Sequence, residues 1–279
     1  MNRTKSLLFF LLPAGLFFLL ACGGGKDTSG DSLIGETPDS AADSAHAKYN
    51  RLISNIPIPF DIMKRLTGSG ITYRDSLVNP VARLSNYSKS NIQAMNLGIY
   101  GADLTYVISM EQFGQVASHI KAVKKLADII VIPTAFDEGM MERYNENRNN
   151  RDSLENMIFQ SYRRIDITLK SNERISLAAL VVAGGWIESL YLTTQHLQRD
   201  PDSDKNKILY EIMSDQQRHL GNLVSLLADF KDDEYIQGLK NDLAELKGYY
   251  LPGGSFDAEA LKKITEKIAS IRKTAVESQ

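Results

Sequence analysis

Cysteine is nearly absent from this chain of 279 residues, which contains one, Cys22. Disulfide frameworks, Cys-x-x-Cys redox motifs and cysteine-ligated zinc or iron–sulfur sites need two or more, so all are excluded. Histidine is scarce as well, with four in total. No Glu-x-x-His pair of the kind that builds dimetal carboxylate sites occurs, nor a Gly-x-Ser-x-Gly elbow, a Walker phosphate loop or a dinucleotide fingerprint. The sequence therefore calls for no cofactor and no metal, and it offers no catalytic residue. An excess charge of either sign is also missing: 32 Lys and Arg stand against 34 Asp and Glu. Without a basic field there is nothing to draw nucleic acid in. What is present, 43% hydrophobic and 24% charged residues, is the composition of an ordinary folded protein.

The N-terminus carries the clearest message. Arg3 and Lys5 precede an apolar run, Ser6 to Leu20, that is broken by Pro13 and Gly15 and ends in small or apolar residues. A basic start, a short apolar stretch and small residues before a cleavage point make a signal peptide, residues 1–21, whereas a spanning helix needs about 20 apolar residues. Leu19-Leu20-Ala21-Cys22 resembles the bacterial lipobox, and its cysteine is the only one in the chain. That resemblance implies cleavage before Cys22, a diacylglycerol on its sulfur and a further acyl chain on its amine. Several chains anchor far more firmly than one, because each buried CH₂ contributes about 0.8 kcal/mol. In Gram-negative lipoproteins an Asp after the cysteine favours inner-membrane retention. Gly23 stands there instead, so the expected localisation is the outer membrane, with periplasmic and surface faces both open.

From Gly23 to about Asn50 the chain is rich in Gly, Ser, Asp and Ala, and residues 22–50 are expected to form a lipidated, flexible tether reaching on the order of 30 Å. Beyond it, residues 51–279 read as one helical domain. Apolar residues recur every three to four positions, with no run of strand alternation. Ile92, Met95, Ile99, Asp103, Tyr106 and Met110 lie on one stripe, and Leu97, Tyr100, Leu104 and Val107 on a second, so this helix is apolar on two faces and belongs at the centre. Further helices are expected near Gln112–Ile129, from Thr134 to about Asn147, from Asn150 or Asp152 to Lys170, across Asn172–Leu197 and across Ile208–Phe230. Two more, through Ile236–Tyr250 and Leu261–Ile271, flank Pro252-Gly253-Gly254 and predict an antiparallel pair docked on the bundle. The expected fold is all-α: a multi-helix bundle or an array of helical hairpins.

Two segments echo one another. Asp103-x-x-Tyr106 follows Gly98 and Gly101, Glu188-x-x-Tyr191 follows Gly184 and Gly185, and each leads to a helix ending Leu-Ala-Asp. At NLGIYGADLTYV, AVKKLAD and VAGGWIESLYL, and over about Asn79 to Phe230, the sequence resembles a group of all-helical lipoproteins of Gram-negative envelopes. The group has no assigned activity, so the resemblance implies a localisation and a helical fold and brings no site residue with it.

Asp103 and Glu188 are the candidates for chemistry, because each interrupts an apolar helix stripe and an ionised carboxylate there is costly unless paired. One reading is an acidic pocket, with Tyr106, Tyr191 and Trp186 beside the acids, that binds a small molecule or metal or does acid/base work. The other is a pair of acids fixed by hydrogen bonds that set how the central helices pack. Glycines inside the two helices cost about 1 kcal/mol each against alanine, and close helix crossing is the expected reason. The functional expectation is a lipid-anchored envelope protein with a helical interaction or scaffold domain that binds a protein or another envelope component.

Overall fold

The apolar stripes become helices in the computed structural model, which describes residues 47–52, 59–130, 139–171, 174–199 and 206–279. The signal segment, Cys22 and the tether up to residue 46 lie outside the described residues, as does the N-cap expected at Thr134. All described residues fall within one unit of the chain, Asp39–Gln279. In order they form α1 (Pro59–Gly68), α2 (Ser90–Ser109), α3 (Phe113–Ile129), α4 (Met140–Asn147), α5 (Arg151–Ser171), α6 (Ile175–Arg199), α7 (Lys207–Leu227), α8 (Glu234–Gly248) and α9 (Ala258–Glu277). There is no strand among them, and the fold is an all-α bundle.

Two helices make the core. Every residue of α2 from Ile92 to Ser109 is buried, as its two apolar stripes predict. Residues Ile175–Leu197 of α6 are long and apolar enough to cross a bilayer, but 78% of their most apolar window is buried inside the protein, which makes α6 a core helix. The two pack closely because glycines remove the side chains between them. A Cβ on Gly98 would overlap the carbonyl oxygen of Val181 and lie 2.7 Å from the nitrogen of Gly185. A Cβ on Gly184 would overlap the carbonyl oxygen of Met95 and lie 3.2 Å from the nitrogen of Ile99. Each residue in the first set is 86 positions from its counterpart in the second, so the crossing is reciprocal, as in a two-fold interface. The echo between the two segments thus has a physical counterpart: α2 with α3 and α6 with α7 are sequential packed pairs joined through their first members.

The remaining helices close around this pair. Helix α1 lies on α2, α6 and α7, α5 covers α2 and α6, and α8 packs on α7. Both C-terminal helices begin with an aspartate cap, Asp233 accepting from the Ile236 N–H at 3.0 Å and Asp257 from the Ala260 N–H at 2.8 Å. Between them Gly253 and Gly254 take φ of 76° and 82°, a region a side chain would strain. Helix α9 is more than half of a docked pair. It packs on α6 and α2 as well as on α8, because Ile264, Ile268, Ile271, Ala275 and Val276 bury more than one narrow seam.

The N-terminal boundary needs correction. Residues 47–50, expected within the tether, are helical, and Tyr49 is buried. Its hydroxyl donates to Asp166 Oδ1 at 3.0 Å, and the Lys170 ammonium lies 4.7 Å from its ring centroid. An aromatic ring with a polar tip docks readily wherever the tip finds an acceptor, and the sparse composition around it hid that.

Candidate functional site

Helices α2 and α6 bring Asp103 and Glu188 together in the core, and neither residue has any exposed surface. Asp103 Oδ2 accepts the Asn79 backbone N–H at 2.9 Å. Glu188 Oε2 accepts Arg272 Nε of α9 at 2.6 Å, and Arg272 Nη2 also donates to the Leu77 carbonyl at 2.9 Å. The remaining oxygens, Asp103 Oδ1 and Glu188 Oε1, are buried without a hydrogen-bond partner, and the two carboxyls lie close enough for one to raise the other's affinity for a proton. Two buried carboxyls this close do not both ionise, so one of the pair is protonated. Burial, then the neighbouring Glu188 charge, push Asp103 well above its ordinary value, against the opposing pull of Arg272 and the Asn79 N–H. Asp103 therefore holds the proton. Burial opposes the charge on Arg272, but Glu188 beside it keeps the guanidinium firmly protonated. One cation, one anion and one neutral acid sum to zero, the condition under which such a cluster is tolerated in a core.

The three aromatic candidates have different places. Tyr191 is near the cluster: its ring lies under Arg272, whose Cζ is 4.3 Å from the ring centroid. Tyr106 is not bonded to Asp103. Its phenol accepts the Arg74 N–H at 3.1 Å and shares a hydrogen bond with His196 Nε2, also at 3.1 Å. Burial pushes that phenol up to about 12, with the Arg74 N–H pulling the other way. Trp186 stands two residues before Glu188, about 200° around the helix, and its Nε1 donates to Gln216 Oε1 of α7 at 2.9 Å. It belongs to the packing between α6 and α7 and has no part in the acid cluster.

Sequence reasoning missed the groups that neutralise the acids. Arg272 is one basic residue on an amphipathic helix full of charges, and nothing local marks it as the one that turns inward. Asn79 sits between two short 3-10 turns, Asp75–Leu77 and Val81–Asn86, and its side chain donates to the Tyr87 hydroxyl at 3.0 Å. Tyr87 in turn donates to the Val276 carbonyl of α9 at 3.3 Å. The acid cluster thus ties the 71–89 connection and the end of α9 to the two core helices. Asp103 and Glu188 are thus enclosed in the core, one oxygen of each held by a donor and the other left without one. Among the described residues no three His, Cys, Asp or Glu side chains lie together as a metal site would need.

Comparison with known proteins adds nothing to this geometry. No family model matches the chain, and neither a curated protein nor a solved structure does. The site is therefore read from its own chemistry.

Proposed function

We propose that this protein is a lipid-anchored component of a Gram-negative outer membrane, with a non-enzymatic helical domain that binds a component of the envelope. The observation that carries the non-enzymatic part is the enclosure of Asp103 and Glu188. An acid/base or metal site must present a lone pair or a proton to a substrate. Here Arg272 and the Asn79 N–H each hold one oxygen of an acid, and no carboxylate surface is open to solvent. Support for the anchor comes from Leu19-Leu20-Ala21-Cys22, which places the only cysteine of the chain where a lipobox requires it. The resemblance to helical envelope lipoproteins points the same way.

Anchoring is tested in intact cells by metabolic labelling with a fatty-acid probe followed by membrane fractionation. The wild type should label and sediment with outer membranes, and Cys22→Ser should do neither. A labelled Cys22→Ser protein would refute the anchor. The interaction reading is tested by site-specific crosslinking from exposed helix positions in living cells. A single envelope partner recovered from neighbouring positions supports it, and turnover of a substrate lost in Asp103→Asn would overturn it.

A further inference from the structure

The molecule has one recess whose chemistry differs from everything above. It lies between α5, α6 and the start of α1, with a cavity volume of about 180 Å³, and its walls include Phe60, Ile158, Phe159, Tyr162, Val181 and Val182. Two glycines shape it. Gly185 admits the Pro59 ring, whose Cγ would be 2.8 Å from any Cβ there. Gly101 admits the Tyr162 phenol, which occupies the place of a Cβ and donates inward to the Leu97 carbonyl at 3.4 Å. A second hydroxyl in the wall, that of Thr105, donates to the Gly101 carbonyl at 2.8 Å. The interior thus presents hydrocarbon and aromatic faces with no free polar valence. An apolar cavity of roughly 150 Å³ takes up a benzene-sized molecule in preference to water.

Charge at the mouth selects the head of that molecule. Arg163 and Asp166 of α5 both border the opening. Asp166 is already engaged, Oδ2 with Lys170 Nζ at 2.5 Å and Oδ1 with the Tyr49 hydroxyl at 3.0 Å. Arg163 is exposed and makes no ion pair or hydrogen bond among the described residues. The spare charge at the rim is therefore positive, on a planar fork that matches a carboxylate.

We propose that this recess binds a free fatty acid, its hydrocarbon end between α5 and α6 and its carboxylate on Arg163. The volume has room for the end of one hydrocarbon chain. This site lies apart from the acid cluster and does not depend on the anchor at Cys22.

Calorimetric titration of the purified, detergent-exchanged full chain tests it, using straight-chain carboxylates from hexanoate to dodecanoate and the matching 1-alkanols below their aggregation limits. One site per chain is expected, with affinity rising about fourfold per methylene until the cavity is full. Arg163→Glu changes an exposed residue and should fold normally. It should weaken the carboxylates at least tenfold and leave the alkanols within twofold. Val182→Trp, at a half-buried wall position, should remove binding of both. No saturable binding by the wild type, affinity independent of chain length, or equal binding of carboxylates by wild type and Arg163→Glu would each overturn the proposal.

Discussion

Asp103→Asn should make this protein more stable as the pH rises, although it alters a fully buried residue. The amide reproduces the protonated acid. Its oxygen can accept the Asn79 N–H that Oδ2 accepts at 2.9 Å, and its NH₂ offers a donor to the neighbouring Glu188 carboxylate, whose Oε1 has none. Unfolded, Asp103 ionises near its ordinary value of 3.8, whereas in the fold its pKa is raised well above that by burial and by Glu188. A raised folded pKa contributes stability that is complete below the unfolded pKa and is lost as pH climbs toward the folded one. Across that window the wild type loses about 1.4 kcal/mol per pH unit from this group. The asparagine variant has no such loss, and every other titrating group is common to both proteins. As pH rises from the unfolded value of 3.8 toward the raised folded one, the difference in stability should therefore move in the variant's favour, by up to about 1.4 kcal/mol per pH unit. Urea unfolding of both proteins at one-unit pH intervals, with matched m-values, measures this. Parallel pH profiles, or a variant that loses stability relative to wild type as pH rises, would refute the proton on Asp103.

The opposite outcome is expected at Glu188, because Glu188→Ala leaves the 12% exposed Arg272 side chain without its anion, at a cost of about 3 to 5 kcal/mol by the same urea assay. Gly184→Ala places a methyl group against the Met95 carbonyl oxygen and must push α2 and α6 apart; a loss of about 1 to 3 kcal/mol or more is expected in thermal unfolding, whereas the control Gly238→Ala, inside α8 where nothing crowds a Cβ, should gain up to about 1 kcal/mol. Trp186→Phe removes the donor to Gln216 in a buried site, and should cost about 1 to 3 kcal/mol with no change in the pH profile that reports the acid cluster.

The helices and the central position of α2 were legible in the sequence because helical periodicity is a local property. Three- and four-residue spacing declares which face is apolar, and two apolar faces on Ile92–Met110 declare a core helix, whatever the partners are. Asp103 and Glu188 stood out for the same reason: a carboxylate inside an apolar stripe is conspicuous in one dimension. The glycines beside them marked a close crossing, since only a removed side chain justifies their cost in a helix. The lipobox-like stretch Leu19-Leu20-Ala21-Cys22 is likewise a local pattern, one that the described residues do not reach.

Which groups meet was decided only in three dimensions. Arg272 lies 84 positions from Glu188, and Asn79 lies 24 from Asp103. Neither separation has a period that a local pattern could reveal. Arg272 follows the buried Ile271 on a helix with many surface charges, and it becomes a core residue because α9 leans on α6 as well as on α8. Tyr49 gives the same lesson in reverse: a segment too polar to hold a core of its own is fixed by one ring that finds Asp166, 117 positions away. The recess beside Arg163 exists in no single segment, because its walls come from four helices and its depth from the places where two glycines let neighbouring rings in. The sequence by itself determined which stretches are helical and which residues are costly to bury. Tertiary packing decided what offsets those costs, because neutralising a buried charge depends on distances between faces that the chain brings together only once it is folded.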